Sequence, residues 1–392
     1  MTNWPVQPFT IRRTCSPLDF GAAGDNETDD TVAVQSAINS CSTIVFDSGK
    51  RFLIGDVMLN HSNLHLRFEA NASAILLPSG GGLLAWCSGC IYENVSVVGA
   101  GGRSSVIDGQ GWRWWSTPGI AHKPKLLVLH NVRSACVRGM LFRDSPTFHL
   151  LMRGDRMSIV DCRVEAGLDN CDGYATQPNT DAFHTHGTNI YLANLFVHNG
   201  DDGFPVEAGG ASGYGEDTRN VLVENCHAEC GSNAGIIMLG SGNASVRDVV
   251  YRNTTANRTN QGGGVKISEP YESVHGRATN ITWVGLTVVA PRAAAVYVNV
   301  FEENADPGEP YGCVMPNASV LRNDTHWMTV QGAVFRDVRV RELGATALGG
   351  CFNCAPGTPC ALRLEQVALP ESAAFVCHNE GAGLSQFCGR RL

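Results

Sequence analysis

Long apolar runs, basic clusters and charge in general are what this sequence lacks. No stretch approaches the ~20 consecutive apolar residues that a membrane-spanning helix needs, so no membrane partner is expected. There is no run of Lys or Arg, and 29 basic residues against 37 acidic ones leave a net charge of −8. The basic footprint of a nucleic-acid binder is therefore missing, and nucleic acid is not expected as a partner. Charged residues make up only 17% of the chain against 43% hydrophobic, which is too apolar for disorder as the main state. The opening "MTNWPVQPFT" has neither a basic n-region nor an apolar h-region, so any export leader is expected to lie outside these residues. No Pro-rich linker interrupts the chain, and one domain is expected across 1–392.

Cysteine and asparagine point to an oxidising, glycosylating compartment. Fifteen cysteines are present, and five of them (Cys351, Cys354, Cys360, Cys377 and Cys388) cluster near the end. With a single histidine, His378, and no second CxxC in that cluster, disulfides are favoured over zinc. An odd total leaves at least one thiol outside an internal pair. Asn-x-Ser/Thr sites begin at Asn26, Asn60, Asn71, Asn94, Asn243, Asn253, Asn257, Asn280, Asn317 and Asn323. A secreted monomer carrying N-linked glycans is expected.

Helical periodicity occurs once. In "DDTVAVQSAINSC", residues 29–41, Val34, Ala37, Ile38 and Cys41 fall on one helix face, with Asp29 or Asp30 as N-cap. Short β-branched blocks follow, starting at Asn94, Asn131, Arg156, Asn189, Asn220, Ala244 and Asn280, each reading as two strands with a kink between. A propeller needs four strands in every ~40–45 residues, and a sandwich would have to repeat with linkers. The recurrence predicts an all-β chain, a single-domain right-handed parallel β-helix with one block per coil. Its exposed ends need covers. The helix is expected to plug one end within a cap region at about 12–70, coils to run over about 71–340, and the Cys-rich segment at about 341–392 to close the other.

On such a stack the spacing of "NTDAF" and "NGDDG" acquires meaning. Asp181 precedes the Asp201–Asp202 pair by about one coil, so all three carboxylates are expected in one shallow groove. Crowded carboxylates push at least one pKa up and yield an acid beside a base. Glycoside hydrolysis needs that pairing. The alternative, three aspartates capping turns, is the bland outcome for Asp-Asp pairs.

The sequence resembles glycoside hydrolase family 28, the polygalacturonases and rhamnogalacturonan hydrolases, from about residue 17 to about 340. "LDFGAAGDNETDDTVAVQSAINSC" is similar to a block shared with pectate-lyase-like β-helices. "SVIDGQGWRWW" and "KPKLLVLHNVRSACVRGMLFRDSPTFHL" are closer to this family, and "NTDAF" with "NGDDG" matches its catalytic signature. The resemblance implies Asp201 as general acid, Asp181 and Asp202 as the pair that holds and deprotonates water, and inversion of configuration. It also implies Asn179, His184 and Lys266 on the substrate, and neither cofactor nor metal. The sequence departs from the pattern in four places. Asn233-Ala234-Gly235 stands for the family's Gly-His-Gly, Gly264-Val265-Lys266 for its Arg-x-Lys, and Gly203 for a cysteine. No tyrosine matches the substrate-stacking one unless Tyr297 has moved into its role. Losing an arginine fork puts galacturonate at that position in doubt.

The expected function is therefore a secreted inverting hydrolase of a pectin-type polysaccharide. Alternatives are a weakened carbohydrate-binding β-helix, a hydrolase of rhamnogalacturonan or a neutral glycan, and an eliminating lyase. His184 and His186 are candidates to replace the missing imidazole if a bend turns them toward Asp181, because strict alternation puts them on the other face. Trp112, Trp114 and Trp115 are read as wall packing rather than a sugar platform.

Overall fold

The computed structural model describes residues 13–86, 89–115, 123–167, 171, 178–209, 217–231, 233–239, 243–259, 263–269, 276–302, 313, 328–344, 347–355, 360–378 and 384–388. It is a right-handed parallel β-helix. Every strand pairing runs parallel, from Thr14–Cys15 on Thr43–Phe46 to Leu348–Asn353 on Phe375–His378. Stacking has already begun at Arg51–Ile54 on Ser73–Leu76, inside the stretch expected to be a cap.

The coils bend where a residue adopts the left-handed conformation, and asparagine is the side chain that tolerates it best after glycine. Asn94, Asn131, Asn189, Asn220 and Asn280 all sit there, with φ between 56° and 58°. The blocks that open on these asparagines thus begin at corners rather than at strand starts: Asn189 lies inside the continuous strand Phe183–Ala193, whereas Ala244 directly precedes the strand Ser245–Asn257. Successive corners bond to one another. The amide of Asn94 donates to Asn63 Oδ1 at 2.9 Å, and that of Asn220 to Asn189 Oδ1 at 2.6 Å. Inward-facing positions stack like on like. The rings of Tyr251, Trp283 and Phe335 stack nearly parallel at 5.0 and 4.7 Å spacings, fully buried in the core.

The predicted helix is Thr31–Ser40, and Val34, Ala37, Ile38 and the adjacent Cys41 are buried against the first coils. Asp30 occupies the N-cap position but makes no cap bond; its carboxylate accepts instead from the Ala23 and Gly24 N–H groups at 2.7 and 3.0 Å. Asp29 supplies the local acceptor, taking the Thr31 N–H at 2.9 Å. Cys15–Cys41 ties this helix to the first strand across a sequence separation of 26. Loop closure of that length is worth about 3 kcal/mol. Cys41→Ser combined with Cys15→Ser should lower the unfolding free energy by that amount in urea titration. A change below about 1 kcal/mol would show that the plug holds by packing alone.

At the other end the clustered cysteines are disulfides, Cys313–Cys351, Cys354–Cys360 and Cys377–Cys388, which removes the zinc alternative. Cys171–Cys230 crosses the middle, and Cys136, Cys162 and Cys226 are free thiols. Among the Asn-x-Ser/Thr sites, Asn60, Asn71, Asn94, Asn243, Asn253 and Asn280 are exposed, and Asn26 and Asn257 are half-buried. Asn317 and Asn323 lie outside the described residues.

Candidate active site

Two turns that enter neighbouring strands build the site. Strand Phe183–Ala193 lies beside Pro205–Ala208 with Thr185 opposite Val206. The Ala182 N–H donates to the Asp202 carbonyl at 2.8 Å, which sets Asp181 beside Asp202 in adjacent coils. The polar residues around the aspartates lock these turns together. Asn199 donates its amide to the carbonyls of Thr180 and Asp202 at 2.8 and 3.1 Å. The Thr180 hydroxyl accepts the Gly200 N–H at 2.9 Å, and Asp201 Oδ2 accepts the Asn179 N–H at 3.1 Å. The Asn and Thr of "NTD" and the Asn and Gly of "NGDD" are the fasteners that hold three carboxylates in place.

All three are nearly buried. Asp202 Oδ1 accepts the Asn233 amide at 2.5 Å. Asp181 Oδ2 lies 3.3 Å from His184 Nε2, whereas its buried Oδ1 has no partner among the described residues. Burial holds the Asp181 carboxyl well above the usual range; the neighbouring charge of Asp202 adds to this and Lys125 opposes it. Asp202 is raised by burial too, against Lys266, His184 and the Asn233 amide, which pull it down. His149, buried beneath the turn, is pushed down to about 4 by its loss of water, despite bonds to the backbone at Asp181 and Thr180.

His184 reaches Asp181 because the strand begins only at Phe183. Asp181 sits in the preceding turn, outside the period-two alternation that separates the two faces, so the bend invoked for the histidines exists. The ring of Phe148 stacks on His184 at 4.5 Å and fixes its plane. His184 and His186 lie 3.1 Å apart, and both face Glu207, a fourth buried carboxylate that the sequence reading missed. Glu207 was traceable only by carrying the strand register one step past Val206.

Lys266 is buried within strand Val265–Glu269 and acts on the charge of Asp202, which rules out a solvent-facing lysine at a strand end. Tyr297, also buried, lies one coil further, its ring 5.6 Å from Lys266 Nζ, and offers no open face for a sugar. Asn179 is exposed at φ 57° and holds Asp201 through its main chain. Gly264 faces packed atoms: an added Cβ would meet Val288 Cγ1 at 2.7 Å and the Ala295 carbonyl at 2.8 Å, so no arginine fits there without rebuilding the coil. Trp114 is buried and Trp115 donates to the Ser145 carbonyl at 3.0 Å, as wall packing requires; Trp112 is exposed. Beside the carboxylates a cleft of about 340 Å³ runs toward the N-terminal coils, lined by Trp86, Lys123, Lys125, Phe148, His184 and His186. Lys123 and Lys125 lie in the quoted block at 123–150, yet nothing in its pattern marked them as groove-facing.

Comparison with known proteins bears on this arrangement. The family model of Glycosyl hydrolases family 28 matches residues 28–348. Endopolygalacturonase A of Aspergillus flavus is 26% identical over 249 residues, 62% of each chain. A probable rhamnogalacturonase C of Aspergillus niger is 23% identical over 391 residues, covering 88% of this chain and 75% of that one. The chain thus spans about three fifths of the length of the endopolygalacturonases it matches. Among solved structures, an endo-xylogalacturonan hydrolase of Aspergillus tubingensis superposes with a TM-score of 0.66 at 18% identity, over 95% of this chain and 97% of that one. The exopolygalacturonase of Thermotoga maritima gives 0.67 at 16% identity, over 94% and 91%.

Proposed function

The chain belongs to glycosyl hydrolases family 28, and from that membership we propose that it is a secreted hydrolase that cleaves a pectin-type polysaccharide with inversion at the anomeric carbon. The observation that carries this reading is the turn-to-turn clamp that gathers Asp181, Asp201 and Asp202, with Asp181 Oδ1 buried and without a partner among the described residues. A buried acceptor of that kind needs a donor, and a water molecule supplies one. Asp201 gives its proton to the glycosidic oxygen as the bond to the anomeric carbon breaks. The water held between Asp181 and Asp202 loses its proton to one of them and attacks the same carbon from the opposite face. This division of roles fits carboxyls separated by a water, about 6.5–9.5 Å in inverting enzymes.

The cations support an acidic polymer. Lys266 and Lys125 both stand near the carboxylates, within an otherwise acidic chain. Lys266 reads the substrate's carboxylate from the C-terminal side, without an arginine at Gly264, where the packing leaves no room for one. Lys266→Met should therefore lower kcat/KM on a uronate polymer by about 10–100-fold, as expected for one charge-assisted contact. An equal loss on a neutral polymer would instead make Lys266 a support for Asp202.

A reducing-end assay against homogalacturonan, rhamnogalacturonan, xylogalacturonan and neutral glucans and galactans tests the proposal. Release of reducing ends from an acidic member, with a product of inverted anomeric configuration by NMR, is the expected result. Binding without cleavage across the panel would favour the carbohydrate-binding reading. Unsaturated products or a calcium requirement would favour a lyase.

A further inference from the structure

We propose that His184, His186 and Glu207 form a binding site for one borderline divalent transition-metal ion, with Zn²⁺ as its natural class. His184 and His186 alternate on one face of strand Phe183–Ala193, and Glu207 comes from the neighbouring strand Pro205–Ala208. His184 Nδ1 lies 3.1 Å from His186 Nε2 and 3.3 Å from Glu207 Oε2, and His186 Nε2 lies 3.4 Å from the same oxygen. Three ligands bonded at ~2.0–2.1 Å around a tetrahedral ion have edges of about 3.3 Å. All three edges match that figure, and both edges to the carboxylate are longer than the 2.7–2.9 Å of a charge-assisted hydrogen bond.

The surroundings fit the same reading. The other nitrogen of His184, Nε2, points at Asp181 Oδ2 at 3.3 Å, the carboxylate–histidine arrangement that orients metal ligands. Phe148 stacked on the ring holds its plane. The three side chains are at least 93% buried, yet His184 and His186 line the cleft, which supplies an entry path and an open fourth position. Two imidazoles and one carboxylate oxygen disfavour Ca²⁺ and Mg²⁺, which demand mostly oxygen. The negative charge of Glu207 and Asp202 faces the ion, whereas Arg153 and Lys125 add positive charge nearby. The site stands apart from the substrate reading, because it needs no sugar.

Chelator-stripped protein titrated with Co²⁺ tests it, read by visible ligand-field absorption and by equilibrium dialysis. One ion per chain with an intense tetrahedral spectrum, displaced by Zn²⁺, is expected. Glu207→Gln and His186→Gln should each weaken Co²⁺ binding by at least about 100-fold, and Asp201→Asn should retain it. Circular dichroism checks that each variant folds; should His186→Gln fail to, Glu207→Gln alone decides. Absence of saturable binding in the parent protein overturns the proposal. So does the same affinity in Glu207→Gln, which would place the ion on surface histidines.

Discussion

Replacing Asp201 with asparagine should cut kcat on a polysaccharide by about 10³-fold and leave the fold intact. The fold survives because the amide keeps an oxygen at the position where Asp201 accepts the Asn179 N–H, so the clamp between the turns need not open. The loss comes from the missing proton: general acid catalysis by a positioned side chain contributes about 10²–10⁴-fold. An aryl glycoside with a good leaving group distinguishes this role from mere disturbance of the site. Its leaving oxygen departs without a proton, so Asp201→Asn should recover most of its rate there. Asp202→Asn should stay slow on both substrates, because water still has to be deprotonated. Equal loss for Asp201→Asn on the two substrates would reassign Asp201 to water handling and invert the proposed roles.

What was legible in the sequence follows from how local each signal is. A left-handed corner is a property of one residue, so Asn94, Asn131, Asn189, Asn220 and Asn280 announced the coils individually. The amphipathic face of Thr31–Ser40 is a property of ten residues in register and was equally readable. The carboxylate trio needed one further step, that a coil's length brings Asp181 beside Asp202, and a regular stack supplies it. Glu207 and the cleft lysines needed more than that. Glu207 meets His186 because the register that puts Asp181 beside Asp202 and Thr185 opposite Val206 runs on unbroken for one more residue, and no pattern within Pro205–Ala208 distinguishes an active carboxylate from an ordinary one. The alternation rule put His184 on the face away from Asp181, and it failed because the strand starts two residues after that aspartate. Pairing of the cysteines depends on loops and remained open for the same reason.

The other large effect is structural and concerns the residue directly after the histidines. Gly187 has φ +115°, and a Cβ built on it would stand 2.0 Å from the Gly154 carbonyl oxygen, with Gly154 backbone atoms at 2.9 Å. Gly154 repeats the situation one coil back, 1.9 Å from the Val132 carbonyl. Two coils therefore approach closely where the site strands leave the groove, and only hydrogen fits between them. Gly187 also donates its N–H to the Thr218 hydroxyl at 3.0 Å, and that hydroxyl donates to the Glu207 carbonyl at 2.6 Å, so the close approach continues into the strand that carries Glu207. Gly187→Ala should cost about 4 kcal/mol, the sum of an unfavourable backbone region and backbone overlap that no rotamer relieves. Gly49 isolates the first part, since its φ is +73° and nothing lies within 4 Å of an added Cβ. Gly49→Ala should cost only about 1 kcal/mol. Urea titration of the two variants side by side measures the difference. Equal losses would mean that the coils can spread at Gly187 without penalty, and the spacing on which the site depends would then be set elsewhere.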